Sequence, residues 1–476
     1  MSRAKLFLEN FFAYGFIQVL NKIVPLLLLP VITSLLPNTS DFGVFDMFNL
    51  IVGFGTPLAI LGMSDAMFRE YFDTDDQQLR YNVTTTAQII VLISSIIICI
   101  TLILFNDAFA KMFFGTDIYS NIVIYSSIAL FLSSNSNIIQ APTRMQNKRR
   151  IFVFSGLLSS GGGYLISILL IWLGFSYFGL IYSSILTTGM IILFFWILNN
   201  RFFLLGRFDK KIAKELFKIG LPLLPTFLIY WIYNSMDRIM ITNMLGTTEL
   251  GIYAIGARLS SISQFIHMAF SGGWQYFAFS TMKDEDYKDL MGKVWENLFI
   301  VSTCFFVCGF ICKDLLFNLL FQGDYVKGVI VFPYLLLAPL LLMLYQILGT
   351  QFQIIKQTFY SPLMLSAGAL INVILNMYLI PRMGIEGAAI ATIIGYFISN
   401  LLSILLVVKI KKLVTFSKKI HFMIGIFLLL FVLINCYDLN IYTILLCLAY
   451  LVTCFFLYYK EAFKLLKGKK SITIRG

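Results

Sequence analysis

Three basic residues lie within long apolar stretches of this sequence, where a charged side chain is costly. They are Lys22, Arg238 and Arg258. A cation at membrane depth normally pairs with a carboxylate, reaches an aqueous interface or faces a water-filled pathway. The chemistry open to such cations is charge-assisted hydrogen bonding to an anion, and phosphate oxygens are strong acceptors for it. These residues are therefore the first candidates for a binding site.

Two of these cations belong to polar stripes on their predicted helices. The first stripe has members four residues apart, which keeps them near one helix face: Asn10, Tyr14, Gln18 and Lys22. The second stripe follows helical spacing in the same way: Arg258, Ser261, Gln264 and His267. Lipid offers no hydrogen-bond partners, so each stripe should face a water-filled cavity or another helix.

Three titratable residues near these cations could couple binding to an ion. Asp46 lies in the outer third of its predicted span, where it is either an ion-coupling carboxylate or a wetted residue near the helix end. Asp237 directly precedes Arg238 and could pair with it. His267 titrates near neutral pH in its ordinary state and could sense protons, although a hydrogen-bonded packing role is the simpler interpretation.

The elements that position these residues are predicted to be membrane-spanning helices. The 476 residues are 59% hydrophobic and only 13% charged, whereas a soluble domain carries about 25% charged residues. Apolar runs of about 20 residues recur throughout, and continuous runs of that length indicate helices. We predict fourteen spans, at 11–36, 41–63, 82–106, 118–140, 151–173, 178–198, 219–243, 250–272, 294–312, 329–349, 362–380, 385–408, 420–436 and 440–459.

The net charge of +12 is explained by orientation, not by nucleic-acid binding. Most of the 36 basic residues fall in loops on the side where this topology puts the N-terminus. Because such loops face the cytoplasm, we predict cytoplasmic termini. The short loops leave no room for a soluble domain, and the sequence lacks a phosphate-binding loop for ATP. We expect no cofactor and no metal, and assign Cys304, Cys308 and Cys312 to packing.

An internal repeat recurs at an offset of 208 residues. Three pairs of residues mark it: Gly43 and Gly251, Lys148 and Lys356, and Gly179 and Gly387. The implied division is a first lobe at 1–208, a second at 209–416, and a helix pair with a basic tail at 417–476. Each lobe holds six spans, so the lobes share one orientation and relate by a pseudo-two-fold axis. The predicted fold class is an all-α polytopic membrane protein of about 14 transmembrane helices.

Several motifs resemble those of one transporter family. Around the seventh and eighth spans they are Gly220–Pro225, Trp231, Asn234, Asp237-Arg238 and Gly251-Ile252-Tyr253. Around the eleventh and twelfth spans they are Ile371–Asn376, Ile380-Pro381, Gly384-Ile385, Gly387-Ala388-Ala389 and Ala391-Thr392. The chain resembles bacterial polysaccharide flippases of the MATE-like multidrug/oligosaccharidyl-lipid/polysaccharide exporter superfamily.

This resemblance implies a function and a location. Such proteins move an undecaprenyl-pyrophosphate-linked oligosaccharide, as for O-antigen, lipopolysaccharide or capsule, across the bacterial cytoplasmic (inner) membrane by alternating access. The expected cargo contacts are Lys22, Arg238, Arg258, Gln18 and Asn234. The expected ion-coupling residues, for H⁺ or Na⁺, are Asp46, Asp237 and His267. Membrane lipids are the other expected partners.

Three other functions compete with this one. A peptidoglycan-precursor flippase carries a chemically similar cargo, and the charges do not exclude it. A multidrug antiporter of the same superfamily typically has twelve spans and an acidic cavity, whereas the candidates here are mainly basic. A membrane polysaccharide polymerase would need a sizeable loop or an acidic catalytic cluster, so we expect no catalytic residues and no enzyme activity.

Overall fold

The protein is helical throughout the part that the structure describes. The structure is a computed structural model that describes residues 22–436 and 440–466, and these ranges contain no strand. The helices are α1 (described over Lys22–Leu35), α2 (Thr39–Ile60), α3 (Met63–Asp73), α4 (Gln77–Leu104), α5 (Asn106–Phe114), α6 (Ser120–Ile139), α7 (Ala141–Met145), α8 (Arg149–Leu157), α9 (Gly163–Leu170), α10 (Phe178–Leu204), α11 (Lys210–Gly220), α12 (Leu224–Leu245), α13 (Thr247–Ser260), α14 (Gln264–Thr281), α15 (Tyr287–Leu320), α16 (Phe332–Ile354), α17 (Tyr360–Ile404), α18 (Lys418–Cys436) and α19 (Ile441–Leu466).

Over the described residues the predicted spans correspond to these helices, which confirms the predicted fold class. The part of the first span at 11–21 lies outside the described residues. Spans 362–380 and 385–408 both fall in α17, where Gly384 interrupts the helical backbone with φ 62° and ψ −144°. Within the described residues, nine helices are long and apolar enough to cross a membrane, by length and composition alone. The chain is therefore a multi-pass membrane protein.

Side-chain caps fix several helix starts. The side chain of Asn38 accepts a hydrogen bond from the backbone N–H of Ser40 at 3.1 Å and so starts α2. Asp209 does the same for the N–H of Lys211 at 2.7 Å at the start of α11. These bonds satisfy donors that the first helical turn leaves without partners. In α11, Leu216 is buried in a core cluster with residues of α3.

The chain divides into two compact units, which are not the predicted lobes. Among the described residues, the first unit comprises 22–258, 320–328 and 373–388. The second comprises 259–319, 329–372, 389–436 and 440–466. Residues that contact one another need not belong to the same sequence repeat. The predicted lobe boundary between residues 208 and 209 therefore stays a prediction.

Polar side chains join the helices of the first unit. Gln88 Nε2 of α4 donates to Asn135 Oδ1 of α6 at 2.7 Å, and Asn199 Nδ2 of α10 donates to the carbonyl oxygen of Ile139 at 2.9 Å. Thr84 Oγ1 donates to the carbonyl oxygen of Phe202 at 2.8 Å. Since lipid gives no hydrophobic drive between helices, such bonds and close packing hold the bundle together.

Aromatic packing and a buried acid organise the second unit. Phe427 of α18 packs edge-on against Phe306 of α15, with ring centroids 5.7 Å apart. Glu296 of α15 is buried and accepts hydrogen bonds from Ser417 N at 2.6 Å and Ser417 Oγ at 2.8 Å. Because Ser417 directly precedes α18, Glu296 ties the start of that helix to α15.

The offset of 208 residues reappears in the backbone of the first unit. Gly115 and Gly323 both have positive φ, at 74° and 60°. Ser176 adopts φ 49° and ψ −140°, and Gly384, 208 residues later, adopts nearly the same pair of angles. Two repeats that fold alike should bend the chain at equivalent positions. These matched bends therefore support the repeat independently of the sequence anchors.

The glycine run at 161–163 differs from its expected role. The run predicts close helix packing, but a Cβ built on Gly161 would meet no described atom within 4 Å. Gly161 and Gly162 instead belong to a π-helical turn, Leu158–Gly162, between α8 and α9. The packing expectation is therefore wrong at Gly161 and holds at Gly163, where a Cβ would lie 3.3 Å from Thr187 Oγ1 of α10. Glycine lowers helix stability, and here it accompanies a change of helical register.

Candidate functional site

Asp46 is the centre of a buried cluster of charged side chains in the first unit. It lies on α2 and is only 8% exposed. Its Oδ2 lies 2.9 Å from Arg238 Nε of α12, and its Oδ1 lies 3.5 Å from Arg258 Nη2 of α13. One carboxylate therefore bridges two guanidinium groups. Such pairing lowers the cost of holding these charges away from water.

A second buried carboxylate, Asp237, supports the same arginine. Asp237 Oδ1 lies 3.8 Å from Arg238 Nη1, and the hydroxyl of Tyr253 donates a hydrogen bond to Asp237 Oδ2. The backbone N–H of Arg238 donates to Asp237 Oδ1 at 2.8 Å. Arg238 Nη1 also donates to the carbonyl oxygen of Asn234 at 2.6 Å. These bonds hold the guanidinium of Arg238 in one orientation.

Aromatic rings and a third cation complete the cluster. The guanidinium carbon of Arg258 lies 4.5 Å from the ring centroid of Phe42 and 5.5 Å from that of Phe45. An aromatic face attracts a cation at such distances. Lys22 of α1 lies close enough to Arg258 for their like charges to interact. We call Lys22, Asp46, Asp237, Arg238 and Arg258 the charged cluster.

The charged cluster carries an excess of positive charge and remains accessible. Three cations face two carboxylates, which leaves one positive charge. The side chains of Arg238 and Arg258 keep 26% and 24% of their surface exposed. An anionic ligand can therefore reach both guanidinium groups and compete with Asp46 for them. Phosphate suits this task, because guanidinium binds its oxygens in a two-pronged geometry.

The structure brings together most, but not all, of the residues singled out in the sequence. Asn234 lies one helical turn before Arg238 on α12. Gln18 lies outside the described residues. His267 belongs to the second unit, where its Nε2 is buried and has no hydrogen-bond partner among the described residues. Among the described side chains, no group of three His, Cys, Asp or Glu is placed to hold a metal ion.

Two features of the cluster were missed by reasoning from the sequence. Asp46 was considered only as an ion-coupling or wetted residue, yet it is the shared partner of both arginines. Tyr253 was noted only within a family motif, yet its hydroxyl binds Asp237. The sequence did contain one signal for the first pairing. Asp46 and Arg258 occupy adjacent turns of helices that the 208-residue repeat makes equivalent.

A tight helix crossing holds α2 against α13 beside the charged cluster. A Cβ on Gly43 would overlap the carbonyl oxygen of Thr247, and one on Gly251 would overlap that of Thr39. The hydroxyl groups of Ser40 and Thr247 lie 2.6 Å apart. The two repeat-related glycines therefore meet, and their lack of side chains sets how closely α2 and α13 approach.

A tyrosine forms hydrogen bonds with the backbone just before the start of α2. Tyr325 is buried, and its hydroxyl donates to the carbonyl oxygen of Leu36 at 2.7 Å and to that of Asn38 at 3.1 Å. Its ring packs edge-on against Phe42 at a centroid distance of 6.3 Å. Phe42 in turn lies beneath Arg258, so this contact connects the crossing with the charged cluster.

Comparisons with known proteins give one relative described as a probable flippase and one described as a membrane protein. The chain is 22% identical over 373 residues to a probable low-salt glycan biosynthesis flippase, Agl15, of Haloferax volcanii, covering 77% of this chain and 76% of that one. It is 26% identical over 230 residues to an uncharacterized membrane protein of Methanocaldococcus jannaschii. That match covers 47% of this chain and only 45% of the relative's length.

Solved structures share the fold. The lipid II flippase MurJ in an inward closed conformation gives a TM-score of 0.69 at 15% identity, covering 95% of this chain and 98% of that one. An inward-facing multidrug resistance MATE family transporter of the MOP superfamily gives 0.58 at 16% identity, covering 84% and 95%. A family model described as polysaccharide biosynthesis protein matches residues 34–329, which is more than half of the chain. The chain therefore belongs to the polysaccharide biosynthesis protein family.

Proposed function

We propose that this protein is a flippase for a lipid-linked oligosaccharide. The cargo is a repeat unit on undecaprenyl pyrophosphate, which crosses the cytoplasmic membrane of a bacterium from the inner to the outer leaflet. The observation that carries the proposal is the charged cluster, in which two accessible arginines share one buried carboxylate. The diphosphate of the carrier lipid is an anion that these arginines can bind.

The cluster suits a ligand that must also be released. A fully unpaired cationic site would hold a diphosphate tightly and hinder turnover. Here Asp46 competes for the same guanidinium groups, so that displacing the carboxylate offsets part of the gain from binding phosphate. Two similar proteins, a probable glycan biosynthesis flippase and a lipid II flippase, support a lipid-linked glycan as the class of cargo.

The same carboxylate offers a route to ion coupling. Protonation or Na⁺ binding at Asp46 would weaken its pairing with Arg238 and Arg258 and leave both arginines for the cargo. Asp237 and His267 are the further candidates for this role. His267 would have to act from the second unit, apart from the charged cluster.

Two rival functions within the superfamily predict different selectivity. A peptidoglycan-precursor flippase would use the same cationic chemistry, and its fold would be the one shared with MurJ. A multidrug antiporter would bind organic cations, which the net positive charge of the cluster opposes. Agl15 and the two solved structures named above are flippases or transporters, which agrees with the expectation that this chain is not an enzyme.

The proposal is tested by transport in liposomes that contain the purified full-length protein. Undecaprenyl-pyrophosphate-linked oligosaccharide should become accessible to an enzyme outside the vesicles faster than in protein-free vesicles. We expect this without ATP, since the sequence has no phosphate-binding loop. Imposing a proton or Na⁺ gradient distinguishes coupled from uncoupled transport. Equal rates with and without protein, or an absolute requirement for ATP, would contradict the proposal.

Orientation gives a second test. We expect reporter fusions near residues 148, 210 and 412 to report a cytoplasmic location, and fusions near 115, 247 and 383 to report an external one. The reason is the distribution of basic residues between the two sets of loops. Paired alkaline phosphatase and fluorescent-protein fusions measure both outcomes. A cytoplasmic signal at 247 would overturn the fourteen-span topology and with it the direction of transport.

A further inference from the structure

A polar chamber lies between α6, α8 and α10 of the first unit. Its volume is about 260 Å³. From α6 it is lined by Ser133, Ser136, Asn137 and Gln140, whose helical spacing keeps them on one face. One water takes about 30 Å³ of liquid volume. The chamber can therefore hold several waters or one small ring-shaped ligand.

The lining favours a neutral ligand over an ionic one. Serine and threonine hydroxyls and the amides of Asn137 and Gln140 both donate and accept hydrogen bonds. Among the described residues that line the chamber, none carries a charge, and none belongs to the charged cluster. A phosphate or carboxylate would find no counter-charge there. A ligand with many hydroxyl groups would find a partner for each.

Aromatic faces add a second kind of contact. Phe152 of α8 and Phe195 of α10 both line the chamber, and Phe195 is almost fully buried. A pyranose ring has hydroxyl groups around its edge and C–H groups on its faces. A C–H face can pack on the partly exposed ring of Phe152, whereas Phe195 is too deeply buried to offer a face. The hydroxyl groups can bind the serine and amide groups.

One lining residue has an unfilled acceptor. The side-chain oxygen of Asn137 is buried and has no hydrogen-bond partner among the described residues. A buried acceptor without a donor is unfavourable where the dielectric constant is low. This oxygen is closed off from the chamber space in the structure, and a turn of the Asn137 side chain would present it to a sugar hydroxyl.

The helix opposite Asn137 is irregular at the same place. Ser159 lines the chamber and belongs to the π-helical turn Leu158–Gly162. Such turns are uncommon and often occur at functional sites, since they redirect side chains within an otherwise regular helix. The space beside Gly161 is open, so close packing of this glycine does not account for the turn.

We propose that this chamber binds one neutral sugar residue of the glycan, through contacts that are separate from the diphosphate-binding cluster. The inference rests on the proposed function, because that function supplies a glycan as cargo. The carrier diphosphate would be recognised by charge and the glycan by hydroxyl and aromatic contacts. Cargo with a neutral hexose or N-acetylhexosamine would then be preferred over cargo whose corresponding sugar is acidic.

Binding of free sugars tests the chamber without transport. Saturation-transfer difference NMR on the full-length protein in nanodiscs would use glucose, galactose, mannose, N-acetylglucosamine and glucuronate as probes. We expect saturable binding of at least one neutral sugar and none of glucuronate. Asn137→Leu removes the unfilled acceptor and should weaken that binding by about tenfold or more. Thr188→Val, which keeps the residue's shape, should weaken it several-fold.

Matched controls separate this proposal from the proposed function. Ser134→Ala lies on α6 outside the chamber, where Ser134 Oγ only returns to the carbonyl oxygen of Leu130 at 2.8 Å, so sugar binding should be unchanged. Arg238→Ala should also leave sugar binding unchanged even if it abolishes transport. The chamber proposal is overturned if no neutral sugar binds the wild-type protein. It is equally overturned if both chamber variants bind like wild type, or if Arg238→Ala removes binding. Failure of transport with intact sugar binding would count against the flippase proposal alone.

Discussion

Replacing Arg238 or Arg258 by alanine should reduce glycan export by about tenfold or more, because each loss removes charge-assisted hydrogen bonds worth about 1.5–3 kcal/mol. The protein should still accumulate in the membrane. In either single variant, the remaining arginine still pairs with Asp46, so the carboxylate is not left without a counter-charge. The measurement is surface polysaccharide in a strain lacking the gene, complemented by each variant and normalised to protein abundance.

Charge and geometry can be separated with further variants of the charged cluster. Arg238→Lys should retain part of the export, since the charge remains but the two-pronged geometry is lost. Lys22→Ala should lower export, and Lys22→Arg should be better tolerated. Arg382→Ala is the matched control, because the exposed Arg382 guanidinium lies over the ring of Tyr378, 3.5 Å from its centroid. Wild-type polysaccharide from Arg238→Ala, Arg258→Ala and Lys22→Ala alike would show that these residues are structural.

Gly43→Ala should abolish most export through a different mechanism. The added Cβ would overlap the carbonyl oxygen of Thr247 and lie 3.0 Å from the backbone nitrogen of Gly251, and backbone atoms cannot rotate away. Overpacking of this kind costs about 1–3 kcal/mol. The state in which α2 and α13 touch would then be depopulated, and an alternating-access cycle that needs this state would slow accordingly.

A cysteine pair measures that state directly. Ser40→Cys and Thr247→Cys, introduced together, should cross-link readily because the native hydroxyl groups lie 2.6 Å apart. Adding Gly43→Ala should reduce the cross-linked fraction. Gly53→Ala on the same helix is the control, since a Cβ there meets no described atom within 4 Å. Unchanged cross-linking and export in Gly43→Ala would mean that the crossing is not part of the transport cycle.

The sequence predicted the membrane helices well because their signal is local. An apolar run of the right length must become a helix in lipid whatever its neighbours are. The boundary predicted between spans 362–380 and 385–408 also falls at a break, because the non-helical backbone of Gly384 divides α17 into two helices. The three intramembrane cations could also be identified from the local sequence, because a charged side chain within an apolar run is energetically costly.

Pairing within the charged cluster could not be predicted in the same way. Arg238 has Asp237 beside it in sequence, so local reasoning chose that partner. Successive residues of a helix point in different directions, however, and Arg238 Nε meets Asp46, a residue of another helix, at 2.9 Å. Asp237 lies 3.8 Å from Arg238 Nη1, as its neighbouring position predicts, and it also accepts a hydrogen bond from Tyr253. Which side chains face one another across helices depends on rotation about each helix axis, and the apolar pattern of membrane helices constrains that weakly.

The bends at Ser176 and Gly384 have nearly the same backbone angles, but they do not cost the same free energy. Glycine adopts this backbone region freely, whereas serine there costs about 1–3 kcal/mol. Ser176 Oγ donates to Asp41 Oδ2 of α2 at 2.7 Å, which helps to offset that cost. This hydrogen bond joins the turn between α9 and α10 to α2, the helix that carries Asp46. Any displacement of α2 during transport must move that turn with it or break this bond.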